Sequence, residues 1–194
     1  MRRLIVVLGV LFLLLGIVSL SCATQTYLNA AGHQVTCMSA GSLDGQKRVT
    51  ACTLAHDATY LNAKGHQVTC KKATHISFDA KGRVASCTLA HNANYLNARG
   101  HQVNCKQGAS IVFDAKGNID QCTLAHNANY LNARGHQVNC KQASRINFNE
   151  QGNIASCTLA HNANYLDARG HQVSCKANGG IQFDLKGNII GCQK

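Results

Sequence analysis

The chain has 194 residues, with 19 Lys or Arg against 8 Asp or Glu, for a formal charge of +11. It has no Pro and no Trp, and only 5% of its residues are aromatic, which weighs against the stacking platforms that bind single-stranded nucleic acid. No block of five like charges occurs, so the basic character comes from isolated Lys and Arg and not from a polybasic tail.

Met1-Arg2-Arg3 is a basic start, and Leu4 to Leu20 is an uncharged apolar run of 17 residues. That run is short for a spanning helix, which needs about 20 apolar residues, and it reads as a signal peptide over residues 1–21. Ser19-Leu20-Ser21-Cys22 resembles a bacterial lipobox, although Ser19 stands where the commonest form has Leu. The resemblance implies that Cys22 carries the lipid of a mature protein, with residues 22–26 as a tether and residues 27–194 as the folded domain. The repeat pattern separates Cys22 independently. With Tyr27 aligned on Tyr60, Cys22 falls opposite Ala55, three places off Cys52, and the other Cys number 11 − 1 = 10. Without Arg2 and Arg3 the mature part keeps 17 cations and 8 acids, or 17 − 8 = +9.

The rest is a repeat of period 35. Cys52, Cys87, Cys122, Cys157 and Cys192 form one series, and Cys70, Cys105, Cys140 and Cys175 a second, which Cys37 joins at a step of 33. The stretch Cys87 to Gln107 recurs unchanged at Cys122 to Gln142. Within each period two turn sequences follow one another, and both resemble a type I turn with a G1 bulge. Asn or Asp caps the first position, and Gly takes the left-handed fourth. One series runs Asn29–Gly32, Asn62–Gly65, Asn97–Gly100, Asn132–Gly135 and Asp167–Gly170. The other runs Asp44–Lys47, Asp79–Gly82, Asp114–Gly117, Asn149–Gly152 and Asp184–Gly187. The second of the ten in chain order is degenerate, with Lys47 where Gly is expected. Flanking residues alternate, as in Ile76 and Phe78 before a turn and Val68 and Cys70 after one. The expected fold is all-β: an antiparallel array of about ten hairpins in an extended or rolled sheet. A five-bladed propeller is the runner-up, because 35 residues fit four short strands.

Tandem hairpins of the form Ile-x-Phe-x-x-x-Gly-x-Ile-x-x-Cys-Thr-Leu resemble bacterial repeat proteins loosely related to MORN repeats, over about residues 27 to 192. The paired Tyr-Gly and Gly-x-Gly steps of that pattern are absent. The resemblance implies a scaffold or contact surface and brings no catalytic residue.

An exported chain meets an oxidising compartment, so ten regular Cys read as five disulfides. Pairing Cys37 with Cys52, Cys70 with Cys87, Cys105 with Cys122, Cys140 with Cys157 and Cys175 with Cys192 uses every Cys. The alternative register, from Cys52–Cys70 onward, strands Cys37 and Cys192. In a flat meander Cys70 and Cys87 would lie about 9.6 Å apart, beyond the roughly 4.4–6.8 Å a disulfide spans. The sheet must therefore fold back at Lys71 to Thr74, or the bridges differ.

His33, His66, His101, His136 and His171 recur in Gly-His-Gln-Val, and His56, His91, His126 and His161 in Leu-Ala-His; His75 stands alone. Of these, His66, His101, His136 and His171 are candidate ligands of a metal ladder. That role requires equivalent His to stack at about 4.8 Å, as on solenoid rungs, and not at the roughly 19 Å of four meandering strands. No C-x2-C pair points to zinc. Candidate nucleophiles and bases occur in four or five copies, whereas catalysis uses one constellation. An enzyme is not expected, and no cofactor is implied.

The favoured function is a lipid-anchored cell-envelope protein offering a structural or contact surface. The alternatives are a binding module for acidic glycan or lipopolysaccharide and a His-rich metal array. The expected partners are the membrane, through the lipid, and an envelope glycan or another protein; nucleic acid is not expected. Ala23, not Asp, follows Cys22, and by resemblance to enterobacterial lipoproteins this implies the outer membrane where the host has one.

Overall fold

A computed structural model describes residues 24–39 and 41–193. The expected signal peptide and the expected lipid attachment at Cys22 lie outside the described residues. All regular structure among the described residues is β, in twenty strands. None of it is a helix long and apolar enough to cross a membrane.

Ten strands form one antiparallel sheet. They are β3 (Ser42–Leu43), β4 (Val49–Thr53), β7 (His75–Phe78), β8 (Val84–Thr88), β11 (Ser110–Phe113), β12 (Ile119–Thr123), β15 (Arg145–Phe148), β16 (Ile154–Thr158), β19 (Gly180–Phe183) and β20 (Ile189–Cys192). Their order in the sheet is their order in the chain, from β3 at one edge to β20 at the other. The sheet does not close on itself, so the extended array holds and the propeller does not.

The other ten strands are five separate hairpins, each one turn series' Asn or Asp turn with its flanks. They are β1–β2 (Gln25–Leu28, Gln34–Cys37), β5–β6 (Ala58–Leu61, Gln67–Cys70), β9–β10 (Ala93–Leu96, Gln102–Cys105), β13–β14 (Ala128–Leu131, Gln137–Cys140) and β17–β18 (Ala163–Leu166, Gln172–Cys175). The first begins at Gln25, so two residues of the expected tether belong to a strand. Each covering hairpin lies across one face of the sheet. The chain folds back at Lys71 to Thr74, and Cys70 bridges Leu89 beyond the end of β8. Ten hairpins are thus present, in two layers and not one.

Burial explains the layering. In β5–β6 Tyr60, Val68 and Cys70 face inward; in β7–β8 Ile76, Phe78, Val84 and Cys87 do. A hairpin with one apolar face is marginal alone and gains by pressing that face on another. The rings of Tyr60 and Phe78 meet edge to face at 5.2 Å, and the same contact recurs for Tyr95–Phe113, Tyr130–Phe148 and Tyr165–Phe183. Val84 and Cys87 are three residues apart, which strict alternation would send to opposite faces. A bulge at Ala85 restores both to the core: Phe78 pairs Val84 while Ser77 pairs Ser86. The same irregularity recurs in the four other sheet hairpins.

All strands run between two edges. At the turn edge, covering turns sit on sheet turns; at the connection edge lie the links such as Lys71–Thr74 and Leu89–Asn92. The preferred cysteine register is the one formed: Cys37–Cys52, Cys70–Cys87, Cys105–Cys122, Cys140–Cys157 and Cys175–Cys192, with Cα separations of 5.7–5.9 Å. The fold-back removes the distance objection, because each bridge joins the two layers and does not run along one sheet.

Candidate functional site

At the turn edge the first four covering turns each interlock with the sheet turn of the following repeat. Asn62 is fully buried; its Oδ1 accepts from the amides of Lys64 and His66, and its Nδ2 donates to the Gly117 carbonyl at 3.1 Å. Asn29, Asn97 and Asn132 do the same to Gly82, Gly152 and Gly187. The sheet-turn glycines have φ between 75° and 81°, and a Cβ on any of them would run into the main-chain nitrogen of Ala31, Lys64, Arg99 or Arg134. Gly is therefore required twice over, for its backbone and for its bareness.

The two exceptions stand at the two ends. Among the described residues no sheet turn follows the covering turn of Asp167, whose carboxylate has no donor to offer one. Among them no covering turn lies on Lys47 in the first sheet turn, and a side chain is tolerated there at φ 60°.

The candidate residues for metal or glycan lie on these edges. His33, His66, His101, His136 and His171 are exposed at the turn edge, and His56, His91, His126 and His161 are exposed at the connection edge, as is His75. Each repeat advances two strands, so equivalent His stand about 9.6 Å apart, between the two spacings considered from sequence. Among the described residues no three His, Cys, Asp or Glu come together as a metal-holding group.

Lys64, Arg99, Arg134 and Arg169 share the turn edge with the His, but the carboxylates are there too. Its ten cations are those four with Lys47, Arg48, Lys81, Arg83, Lys116 and Lys186. Its seven acids are Asp44, Asp79, Asp114, Asp120, Glu150, Asp167 and Asp184, leaving 10 − 7 = +3. Several are paired locally, as in Arg48–Asp44 and Arg83–Asp79, both at 2.7 Å. For Asp79, burial pushes the carboxyl up, but the Arg83 guanidinium and the amides of Arg83 and Lys81 outweigh it and hold it below its usual range. Hydrogen bonds from the Arg48 and His171 amides lower Asp44 and Asp167, and one from the Asn188 side chain lowers Asp184. Asp120 goes the other way, raised by burial and then by the charge of Asp114.

The connection edge is different. Among the described residues it holds Lys71, Lys72, Lys106, Lys141, Arg145 and Lys176 against Asp57 alone, or 6 − 1 = +5. Asp57 is itself engaged by the Lys72 amide at 2.6 Å, as Asn92, Asn127 and Asn162 are by the corresponding amides of Gln107, Gln142 and Ala177. The turn sequences themselves show the cationic row of Lys64, Arg99, Arg134 and Arg169, the row expected to meet an acidic glycan, but this second row was not read from the sequence. The signal was present in the Lys that follows Cys70, Cys105, Cys140 and Cys175, but only the fold-back puts those four on one edge, apart from the acids.

Two open depressions, of about 580 and 420 Å³, lie at the C-terminal end of the array. One is lined by β17 and β18 and the other chiefly by β16, β19 and β20, the places a further repeat would cover. No family model matches the chain, and no curated protein is similar to it in sequence.

Proposed function

We propose that the chain is an exported cell-envelope protein, held to a membrane by a lipid on Cys22, whose repeats form a stapled structural and contact surface. One observation carries this reading: all ten repeat cysteines close in register into five bridges, one per repeat, each tying a covering hairpin to the sheet. Such bridges persist in oxidising compartments outside the cytosol, in keeping with the signal-like segment of residues 1–21. The surface is made of near-identical units, which suits repeated weak contacts that gain by effective concentration. The tandem hairpins also fit the scaffold role that the MORN-like resemblance implies.

Palmitate labelling of the expressed protein tests the anchor. Wild type should incorporate label and stay with membranes after a salt wash, and Cys22→Ser should do neither. A Cys22→Ser protein that still takes up label rules the attachment out. Non-reducing peptide mapping tests the staple: recovery of Cys52–Cys70-type peptides in place of Cys70–Cys87 would remove its basis.

A further inference from the structure

We propose that the connection edge is a membrane-docking surface, on which Lys71, Lys106, Lys141 and Lys176 rest in one row on the anionic headgroups of the bilayer that holds the Cys22 lipid. The orientation rests on the anchored reading of Cys22; the attraction of the edge for anionic lipid does not.

Four observations lead there. The first is charge: the edge carries +5 with a single, engaged carboxylate, whereas the turn edge interleaves seven acids with its cations. The second is where the chain enters. β1 starts at Gln25, which pairs with Cys37, and Cys37 bridges Leu54 of the connection. Cys22 is three residues earlier, a reach of at most about 11 Å, so its lipid meets the bilayer beside this edge. The third is the first-repeat counterpart of the four lysines, Met38, which is 38% exposed. The repeat nearest the lipid shows an apolar side chain, and those farther along show ammonium groups. An acyl chain supplemented by a basic patch is the combination that makes peripheral attachment stable.

The fourth is rigidity. The amides of Lys71, Lys106, Lys141 and Lys176 donate to the carbonyls of Thr88, Thr123, Thr158 and Gln193 at 2.8–2.9 Å. The row is thus fixed along three steps of about 9.6 Å each; its four side chains are exposed, and the Lys141 ammonium donates to Asn178 Oδ1 beside it. Nucleic acid fits less well, because Tyr60, Tyr95, Tyr130, Tyr165 and their Phe partners are in the core and cannot stack on bases.

The full chain is mixed with vesicles of phosphatidylcholine alone or with phosphatidylglycerol, floated, and acetylated with a water-soluble reagent; each lysine is then read by mass spectrometry. The expected result is that phosphatidylglycerol protects Lys71, Lys106, Lys141 and Lys176, that high salt removes the protection, and that Lys64, Lys81, Lys116 and Lys186 label equally throughout. In Cys22→Ser protein, partition onto phosphatidylglycerol vesicles should fall about fivefold per lysine neutralised in the series Lys71→Gln, Lys106→Gln, Lys141→Gln, Lys176→Gln. The matched set Lys64→Gln, Arg99→Gln, Arg134→Gln, Arg169→Gln removes the same charge from the turn edge and should change it far less. Equal loss from both sets means net charge alone acts and overturns the proposal. So does uniform labelling of vesicle-bound protein, and so does protection by soluble dextran sulfate without any by phosphatidylglycerol, which would assign the edge to a polysaccharide. Failure of wild type to float with neutral vesicles, with edge protection intact on anionic ones, removes the Cys22 lipid and leaves the docking edge standing.

Discussion

At the scale of single residues, the array is locked by one atom per repeat. Asn97 donates through Nδ2 to the Gly152 carbonyl at 3.0 Å from a buried position. Asn97→Asp removes the donor and sets a carboxylate against a carbonyl, so it should cost about 1–3 kcal/mol, the range for a buried polar group left unpaired. Asp167→Asn, at the uncovered end, should be within about 0.5 kcal/mol of wild type, as for ordinary surface changes. Urea unfolding of the two variants checks the contrast, and equal costs would mean that the interlock contributes nothing. The tyrosines report on the same layer contact. Burial raises the phenols of Tyr60, Tyr95, Tyr130 and Tyr165, pushing Tyr95 and Tyr130 up to about 12. Their folded pKa lies above the unfolded value near 10, so the stability they lend is complete below about pH 10 and is lost as pH rises toward 12. Phenolate absorbance should show a delayed fraction that collapses to an ordinary titration in denaturant. Asp44, Asp79, Asp167 and Asp184 have the opposite sign: lowered in the fold, they stabilise above the unfolded carboxylate range and lose that contribution as pH drops below it.

At the scale of elements, the two turn series look alike and are not equivalent. Gly65 and Gly117 both have φ near +80°, but a Cβ on Gly65 meets open space and one on Gly117 meets the Lys64 amide. Gly65→Ala should cost about 1–2 kcal/mol, the left-handed penalty alone; Gly117→Ala should cost that and also push two turns apart. Thermal melts of the pair make the comparison, with equal shifts in Tm counting against the interlock. The disulfides act between the same elements. Each closes a sequence separation of 15 or 17, and removing Cys105–Cys122 by paired Ala substitution should lower stability by about 3 kcal/mol in the loop-entropy model. The hairpins and their turns were legible from Asn-Ala-Arg-Gly and Asp-Ala-Lys-Gly, because turn chemistry is local. The bulge at Ala85 was not read, although Val84 and Cys87, two inward residues three apart, required one.

At the scale of the molecule, repeats contact their neighbours through sheet pairing and a turn interlock, and the hydroxyls of Tyr60 and Tyr95 donate to the Gln34 and Gln67 carbonyls of the preceding covering hairpin. Such arrays gain or lose units with little change elsewhere. Deleting residues 88–122 joins Cys87 to Thr123 in the same sequence context and should give a cooperative protein one repeat shorter, with a lower Tm. Loss of the cooperative transition in circular dichroism would show that the repeats do not act as nearest-neighbour units.

The sequence by itself determined the strands, the ten turns and the repeat, since each depends on residues a few places apart, and it favoured the cysteine register that uses every Cys. Even the need for a fold-back was implicit, because Cys70 and Cys87 cannot bond across a flat sheet. Only the tertiary structure decided that alternate hairpins leave the sheet to cover it. That choice depends on how the apolar faces of different hairpins fit together, with Tyr60 against Phe78 and Asn62 against Gly117, partners 18 and 55 residues apart. The same layering set the His about 9.6 Å apart and separated a mixed turn edge from a basic connection edge, because charge on a surface is a property of which links end up side by side.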